Sequence, residues 1–297
     1  MKRKVVKHGQ NTLTVSLPSK WCRTHGIKQG DEVEVEEKGK SVEIFTGINE
    51  KKIKIIDANE ATFLKRTIMT PFVAGYDELT VRFDTKRTFY KIQQTMSFLT
   101  GFEITEQREN SCTIRNISIG MDVDVGKIID RLLFLIESFF KSAIEALEEG
   151  DIEKLDLIAM YDSNIDKLML FSLRICNTTI IEPSKAMGLI AVLINLEATG
   201  DNLRDICKNL FAHQKTDIKK TSQIVKECYS LFLKFKELKK TNLYVTLHEF
   251  KELRKKMEEK WEKLLGSKHS YTVHYVLAIS RELHHATESV LLANGKC

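Results

Sequence analysis

A chain of 297 residues, 42% hydrophobic and 29% charged, has the composition of a water-soluble protein of about two domains or more, and no stretch approaches the ~18 apolar residues of a membrane span. Its six cysteines, at 22, 112, 176, 207, 228 and 297, are scattered without a C-x-x-C; this argues against a cysteine zinc site and for a reducing, cytoplasmic location. The net charge is +5, yet residues 1–30 hold Lys2, Arg3, Lys4, Lys7, Lys20, Arg23 and Lys28 and no acid, which leaves −2 for the remainder.

The opening MKRKVVKHGQ is polar and basic, with no apolar h-region, so no secretory signal is expected. VVKHG and TLTVSLP are strand-like, separated by turn chemistry at Gly9 to Asn11, and Leu13, Val15 and Leu17 alternate with Thr12, Thr14 and Ser16. Pro18-Ser19 opens a short helix stopped by Gly26, Gly30-Asp31 turns into DEVEVEE, and Gly39 turns the chain into SVEIF. On V-x-L-P at Val15 to Pro18, the helix running to Gly26-Ile27, and K-x-G-D at Lys28 to Asp31, residues 1–47 resemble the AbrB/SpoVT swapped-hairpin DNA-binding domain. The resemblance implies a homodimer formed by hairpin exchange and double-stranded DNA as partner, met by Arg3, Lys4, Lys7, Asn11, Lys20 and Arg23. Physical chemistry agrees: strands this short do not bury a face alone, and a run of unneutralised cations gains phosphate affinity by releasing counterions. Arg23 and Asn11 suit base edges, and the lysines suit phosphate.

Residues 50–120 read as β-α-β-α-β-β: KKIKIID, a helix ending near Pro71 and Gly75, ELTVRF, a helix closing at Gly101, FEITEQ and SCTIRNIS. This order predicts a small α+β connector with its helices on one face of a sheet. No Gly-rich phosphate loop or nucleophile motif occurs in it.

From residue 122 the pattern is helical. Helices are expected at roughly 124–149, 151–177 and 183–212, then at 221–240, 246–265 and 270–293. The segment between Ala186 and Leu196 is apolar nearly all round, which predicts burial on several sides. Leu196-Glu197-x-x-x-Asp201 is echoed by Leu283-His284-x-x-x-Glu288, so two tandem three-helix bundles are expected, at 122–213 and 218–295. The fold class is therefore multidomain: an N-terminal swapped-hairpin β domain, an α+β connector, and C-terminal all-α tandem bundles.

Two carboxylate pairs stand out, Asp162 with Asp166 and Glu197 with Asp201, each spaced i, i+4 on one helix face. Asp162 falls inside the apolar stripe Leu155, Ile158, Ile165, Met169, Cys176. A charge there needs a partner. One solution is a bound cation, since hard carboxylate oxygens suit Mg, Mn, Fe or Zn, with Asp205 as a fifth ligand. The other is a salt-bridged network with Lys167, Arg174 or Arg204. Gly200 costs about 1 kcal/mol in a helix interior and fits a close approach of a neighbouring helix or ion. In the second repeat Arg254 stands in the register of Asp162, and Glu258 in that of Asp166, so an arginine supplies the positive charge there. His284 and Glu288 remain as a lesser second pair, and one good site, in the first bundle, is expected.

Asp162-x-x-x-Asp166 and Glu197-Ala198-Thr199-Gly200-Asp201, on paired three-helix repeats, resemble PhoU-type phosphate regulators. The family's E-R-I-G-D has Ala198-Thr199 here in place of Arg-Ile. The resemblance implies a divalent or trivalent metal ion on these carboxylates and restraint of phosphate uptake through a transporter ATPase or its sensor kinase. With the N-terminal likeness, the whole resembles an archaeal-type PhoU-like phosphate uptake regulator carrying an AbrB/SpoVT reader. Three functions follow, in order of expectation. The first is a DNA-binding regulator of phosphate uptake. The second is a cytoplasmic adaptor whose N-terminal unit only dimerises. The third, a carboxylate-bridged metal enzyme, needs ligands like Glu-x-x-His from facing helices, and only the lesser His284 site hints at histidine; H-E-x-x-H and a Ser/His/Asp arrangement do not occur, so no enzyme is expected. His213, His248, His269 and His274 are expected at helix ends or on the surface, and Trp21 and Trp261 in a core or interface.

Overall fold

The N-terminal alternation of valine with polar residues folds into two hairpins. β1 (Val5–His8) pairs antiparallel with β2 (Thr12–Val15), across a turn where Gly9 takes φ +72°. α1 (Ser19–Thr24) follows Pro18. It ends where the Ile27 N–H reaches back to the Cys22 carbonyl at 2.9 Å, and glycine at 26 lets the chain turn with φ +66°. β3 (Glu34–Lys38) pairs antiparallel with β4 (Ser41–Phe45). A computed structural model describes residues 1–38, 41–45, 51–118, 124–179, 181–213, 217–238 and 243–293, so the turn expected at Gly39 lies outside the described residues. The chain divides into two units, Met1–Lys51 and Lys52–Cys297.

The first unit has no core of its own: none of its described residues is buried, and Val5 is 63% and Leu13 70% exposed, with Val6, Val15, Val35 and Val42 also on the surface. Directly paired residues share a face, so the register places Val5, Lys7, Leu13 and Val15 together and Val6, His8, Thr12 and Thr14 opposite. Lys7 therefore sits on the apolar face.

The second unit begins with β5 (Ile53–Asp57), α2 (Leu64–Val73), β6 (Glu78–Arg82), α3 (Lys86–Met96), β7 (Phe102–Arg108) and β8 (Ser111–Asn116). The sheet order is β5-β6-β8-β7, with β5 and β6 parallel and the other pairs antiparallel. Ile56, Leu79, Val81, Phe102 and Ile114 pack against Ile68 and Phe72 of α2 and Ile92 of α3. α2 continues through Pro71 to Val73, ending within the stretch from Pro71 to Gly75 where its end is expected.

The helical part comprises α4 (Val125–Glu149), α5 (Glu153–Ala159), α6 (Asp162–Thr178), α7 (Pro183–Ala212), α8 (Ile218–Glu237), α9 (Leu243–Glu262) and α10 (Ser270–Ala293). Caps fix several starts. Asp124 accepts from the Gly126 N–H at 2.8 Å, and Glu182 accepts from Ser184 and Lys185 ahead of α7, where Pro183 needs no donor. None of the helices is long and apolar enough to cross a membrane among the described residues.

Three expectations change here. Residues 151–177 are not one helix: around Met160 and Tyr161 the bonds tighten to i−3, Tyr161 N–H to Ile158 and Asn164 N–H to Tyr161, so α6 opens at Asp162. The two repeats do not make separate cores, because buried residues from α4 to α10 form one cluster. α7 and α10 meet where Gly188 faces the α10 backbone: a Cβ there would lie 2.5 Å from the Ala293 nitrogen. And α7, though lined with buried Leu189, Val192, Leu193 and Leu196, leaves Met187 and Ile194 exposed.

The α+β part is joined to α6 through Arg174 and Leu170. Leu170 enters the sheet's core, and the Arg174 guanidinium donates to the Phe72 and Tyr76 carbonyls at 2.8 Å each and to Asp77 Oδ1 at 3.1 Å.

Candidate metal centre

Asp162 opens α6, Asp166 follows one turn later, and Asp201 faces them from α7. One oxygen of each can be chosen so that all lie within 4.8 Å of one another, and among the described residues this is the one group of at least three acidic, His or Cys side chains so placed. The close approach is made by Gly200: a Cβ there would stand 2.9 Å from Ile165 Cδ1 and 3.2 Å from Asp162 Oδ1. The glycine thus admits the neighbouring helix and leaves the carboxylate its space.

Arg204, one turn beyond Asp201, supplies the counter-charge. Its Nη1 donates to Asp162 Oδ2 at 2.6 Å and to Asp201 Oδ1. Nε and Nη2 both meet Asp205 Oδ1 at 3.0 Å. Of the three cations weighed from the sequence, Arg204 is the one seated here, whereas Arg174 serves the α+β part. The neutralisation is incomplete. Asp162 is only 4% exposed, and its Oδ1 is buried without any hydrogen-bond partner.

Electrostatics report the same deficit. Burial, then Asp166, push the Asp162 carboxyl up to about 6 against the pull of Arg204. Glu197 is pushed up to about 7, by burial first and then by Asp201, Asp166 and Asp162. Asp166 is raised by burial and by Asp201, and Lys65 and Arg204 hold it back. Lys65 was not legible in the sequence. It arrives from α2, about a hundred positions earlier in the chain, with its ammonium 3.5 Å over the Phe98 ring.

Glu197 lies outside the trio of aspartates, though within its field. Asp205 is engaged with Arg204 and is likewise outside it. In the second repeat Arg254 Nε donates to Glu258 Oε1 at 3.0 Å and to Ser280 Oγ at 3.3 Å, and Ser280 donates to Glu258 at 2.8 Å. His284 and Glu288 are not gathered into a comparable group: Glu288 is exposed, and His284, with Nδ1 buried and unpartnered, has its pKa lowered by burial and then by Arg254. His269, expected at a helix end or on the surface, directly precedes α10 and is buried, its Nδ1 3.2 Å from Thr221 Oγ1. Trp261 is fully buried and donates to Glu227 at 3.1 Å.

On the N-terminal unit, Arg3, Lys4, Lys7, Asn11, Lys20 and Arg23 are all exposed. Arg23 Nε donates to the Ser19 carbonyl at 3.3 Å, which lays its stem along α1.

Residues 6–56 match the family described as antidote-toxin recognition MazE, bacterial antitoxin. Residues 129–210, which hold the whole aspartate trio, match the PhoU domain. The chain joins a MazE/AbrB-type swapped-hairpin domain to a PhoU domain. No curated protein and no solved structure matches the chain. The PhoU match ends before α8, so it covers the repeat with the acidic cluster and not the one where Arg254 replaces Asp162. Both domains are of regulatory types rather than catalytic ones.

Proposed function

We propose that the protein is a dimeric DNA-binding regulator of phosphate uptake, in which the PhoU domain senses a metal ion and the MazE/AbrB-type domain reads the duplex. The observation that carries the sensing half is the orphaned Asp162 Oδ1 beside Asp166, Asp201 and the space kept by Gly200. The donor set is all hard oxygen, which suits Mg, Mn, Fe or Zn. Asp162, Asp166 and Asp201 would hold the ion, with Glu197 in support, and the ion would relieve the mutual repulsion of these carboxylates. For the reading half, the N-terminal unit presents basic residues over a sheet that has no buried residue, so a second copy is needed to cover Val5, Leu13 and Val15. Two copies double the basic patch.

The test is fluorescence anisotropy of the intact protein on duplex DNA across a salt series. Affinity should fall with salt at a slope of roughly −0.9 per phosphate contacted. Lys20→Ala with Arg23→Ala should weaken binding and flatten that slope by up to about 3.6, for four cations lost per dimer. Binding that is indifferent to salt or to the double variant defeats the DNA-reading half and leaves the adaptor reading, a dimer acting on a transporter ATPase or sensor kinase. Metal content measured on the wild type, Asp162→Ala and Asp201→Ala tests the sensing half, and equal content in all three defeats it.

A further inference from the structure

Resting on the metal reading of the aspartate trio, we infer that Arg204 is a built-in competitor for the site, so that metal loading is an exchange of an arginine for a cation. The trio alone would be only an acidic cluster. The second observation is that Asp162, at 4% exposure, keeps Oδ1 buried and unpartnered while its Oδ2 is held by Arg204 at 2.6 Å.

A guanidinium satisfies part of what a cation would. Nη1 reaches Asp162 and Asp201 together, two of the three aspartates that face one another within 4.8 Å. It brings a single positive charge to Asp162, Asp166, Asp201 and Asp205, with Glu197 in their field. A metal ion bonds carboxylate oxygen at roughly 2.0–2.6 Å, so an ion spanning these aspartates would stand close to Nη1, which already holds one oxygen of Asp162 and one of Asp201. Two cations that close repel, so seating the ion displaces the guanidinium.

The way out is present in the same side chain. Nε and Nη2 of Arg204 meet Asp205 Oδ1 at 3.0 Å, and because the guanidinium is one rigid plane, Nη1 withdraws from Asp162 and Asp201 as the half-exposed Asp205 side chain swings out with it. This gives Asp205 a role other than fifth ligand: it holds the displaced arginine. Arg204 thereby sets a threshold, since a cation must out-compete a tethered guanidinium before it can occupy the site. An arginine in the site also protects the empty fold, whose carboxylates would otherwise repel with no counter-charge.

The test is Mn(II) titration of the full chain, followed by electron paramagnetic resonance, for the wild type, Arg204→Gln, Arg204→Lys and Asp162→Asn. Arg204→Gln should bind Mn(II) at least about tenfold more tightly, the scale of one partly buried charge contact removed. Without metal it should melt below the wild type, and Mn(II) should raise its melting temperature by more than it raises the wild type's. Arg204→Lys, which keeps the charge but loses the planar fork, should fall between them. If Arg204→Gln or, should that variant fail to fold, Arg204→Lys binds Mn(II) no tighter than the wild type while Asp162→Asn binds none, the exchange is overturned and the metal site stands. If the wild type and Asp162→Asn are alike in binding no Mn(II), the site and the exchange fall together.

Discussion

Arg174 offers the sharpest test of how the second unit is held together. Its side chain is 7% exposed and makes three charge-assisted hydrogen bonds, at 2.8, 2.8 and 3.1 Å, to Phe72, Tyr76 and Asp77. The guanidinium also stands 5.4 Å from the Phe72 ring centre and 4.8 Å from that of Phe102. Replacing it with methionine keeps much of the volume and removes every donor. Breaking a buried charged contact by deleting one partner costs about 3–5 kcal/mol. The lower end applies here, because Asp77 is 37% exposed and regains water, and the Phe72 carbonyl keeps the Gly75 N–H at 3.2 Å. A loss of about 3 kcal/mol in a unit of this size lowers the melting temperature by roughly 6–12 °C. Urea unfolding gives the free energy, and hydrogen exchange should show α2 losing protection first. Arg174→Lys, reaching fewer of the three acceptors, should lose less. An Arg174→Met protein within about 0.5 kcal/mol of the wild type, the range of an ordinary surface change, would refute the view that this arginine fastens the α+β part to α6.

Gly188→Ala should destabilise by about 1–2 kcal/mol in a thermal melt: the gain of about 1 kcal/mol in helix propensity is outweighed by overpacking, since the new Cβ would lie 2.5 Å from the Ala293 nitrogen and 2.9 Å from the Ser289 oxygen. A more stable variant would show that α7 and α10 yield freely. Glu137 is pushed down to about 2 by hydrogen bonds from Lys141 and then Lys236. A depressed carboxyl contributes its full stability above the unfolded value of about 4.5 and loses it as pH falls through about 2. Glu137→Gln should therefore flatten the acid limb of a stability-versus-pH curve across that window, and an unchanged limb counts against the assignment.

What the sequence showed and what it hid divide along the range of the interactions. The i, i+4 spacing of Asp162 and Asp166 is a property of one helix and survives in α6, whereas the apolar stripe around Asp162 is shared between α5, with Leu155 and Ile158, and α6, with Ile165, Met169 and Cys176. Asp201 and Arg204 are three apart on α7, so their ion pair was also within reach of local spacing. Gly200 announced a close approach because glycine is costly in a helix, and the neighbour proves to be Ile165 and Asp162. Lys65 and Asp77 were hidden for the opposite reason: they act on α6 from the α+β part, and no periodicity of α6 encodes a contact made by tertiary packing. The tight turn at Met160 and Tyr161 was hidden too. Both residues keep helical backbone angles, so nothing in the residue types marks the change from i−4 to i−3 bonding.

The two helical repeats meet one problem with two answers, and the comparison says which of them is finished by protein atoms. In the second repeat the arginine comes from the helix that would carry the acids. Arg254 takes the position of Asp162, and Glu258 and Ser280 close on it and on each other. In the first repeat the arginine comes from the facing helix, the acids remain, and the count does not balance. Among the described residues, Asp162 Oδ1 is the one carboxylate oxygen buried without a partner. Leaving such a group unpaired is expensive, and a purely structural bridge has the remedy seen at Arg254. The first repeat does not use it. Its closely set aspartates, its glycine at 200 and its half-sufficient arginine are the observations on which the proposed cation site rests.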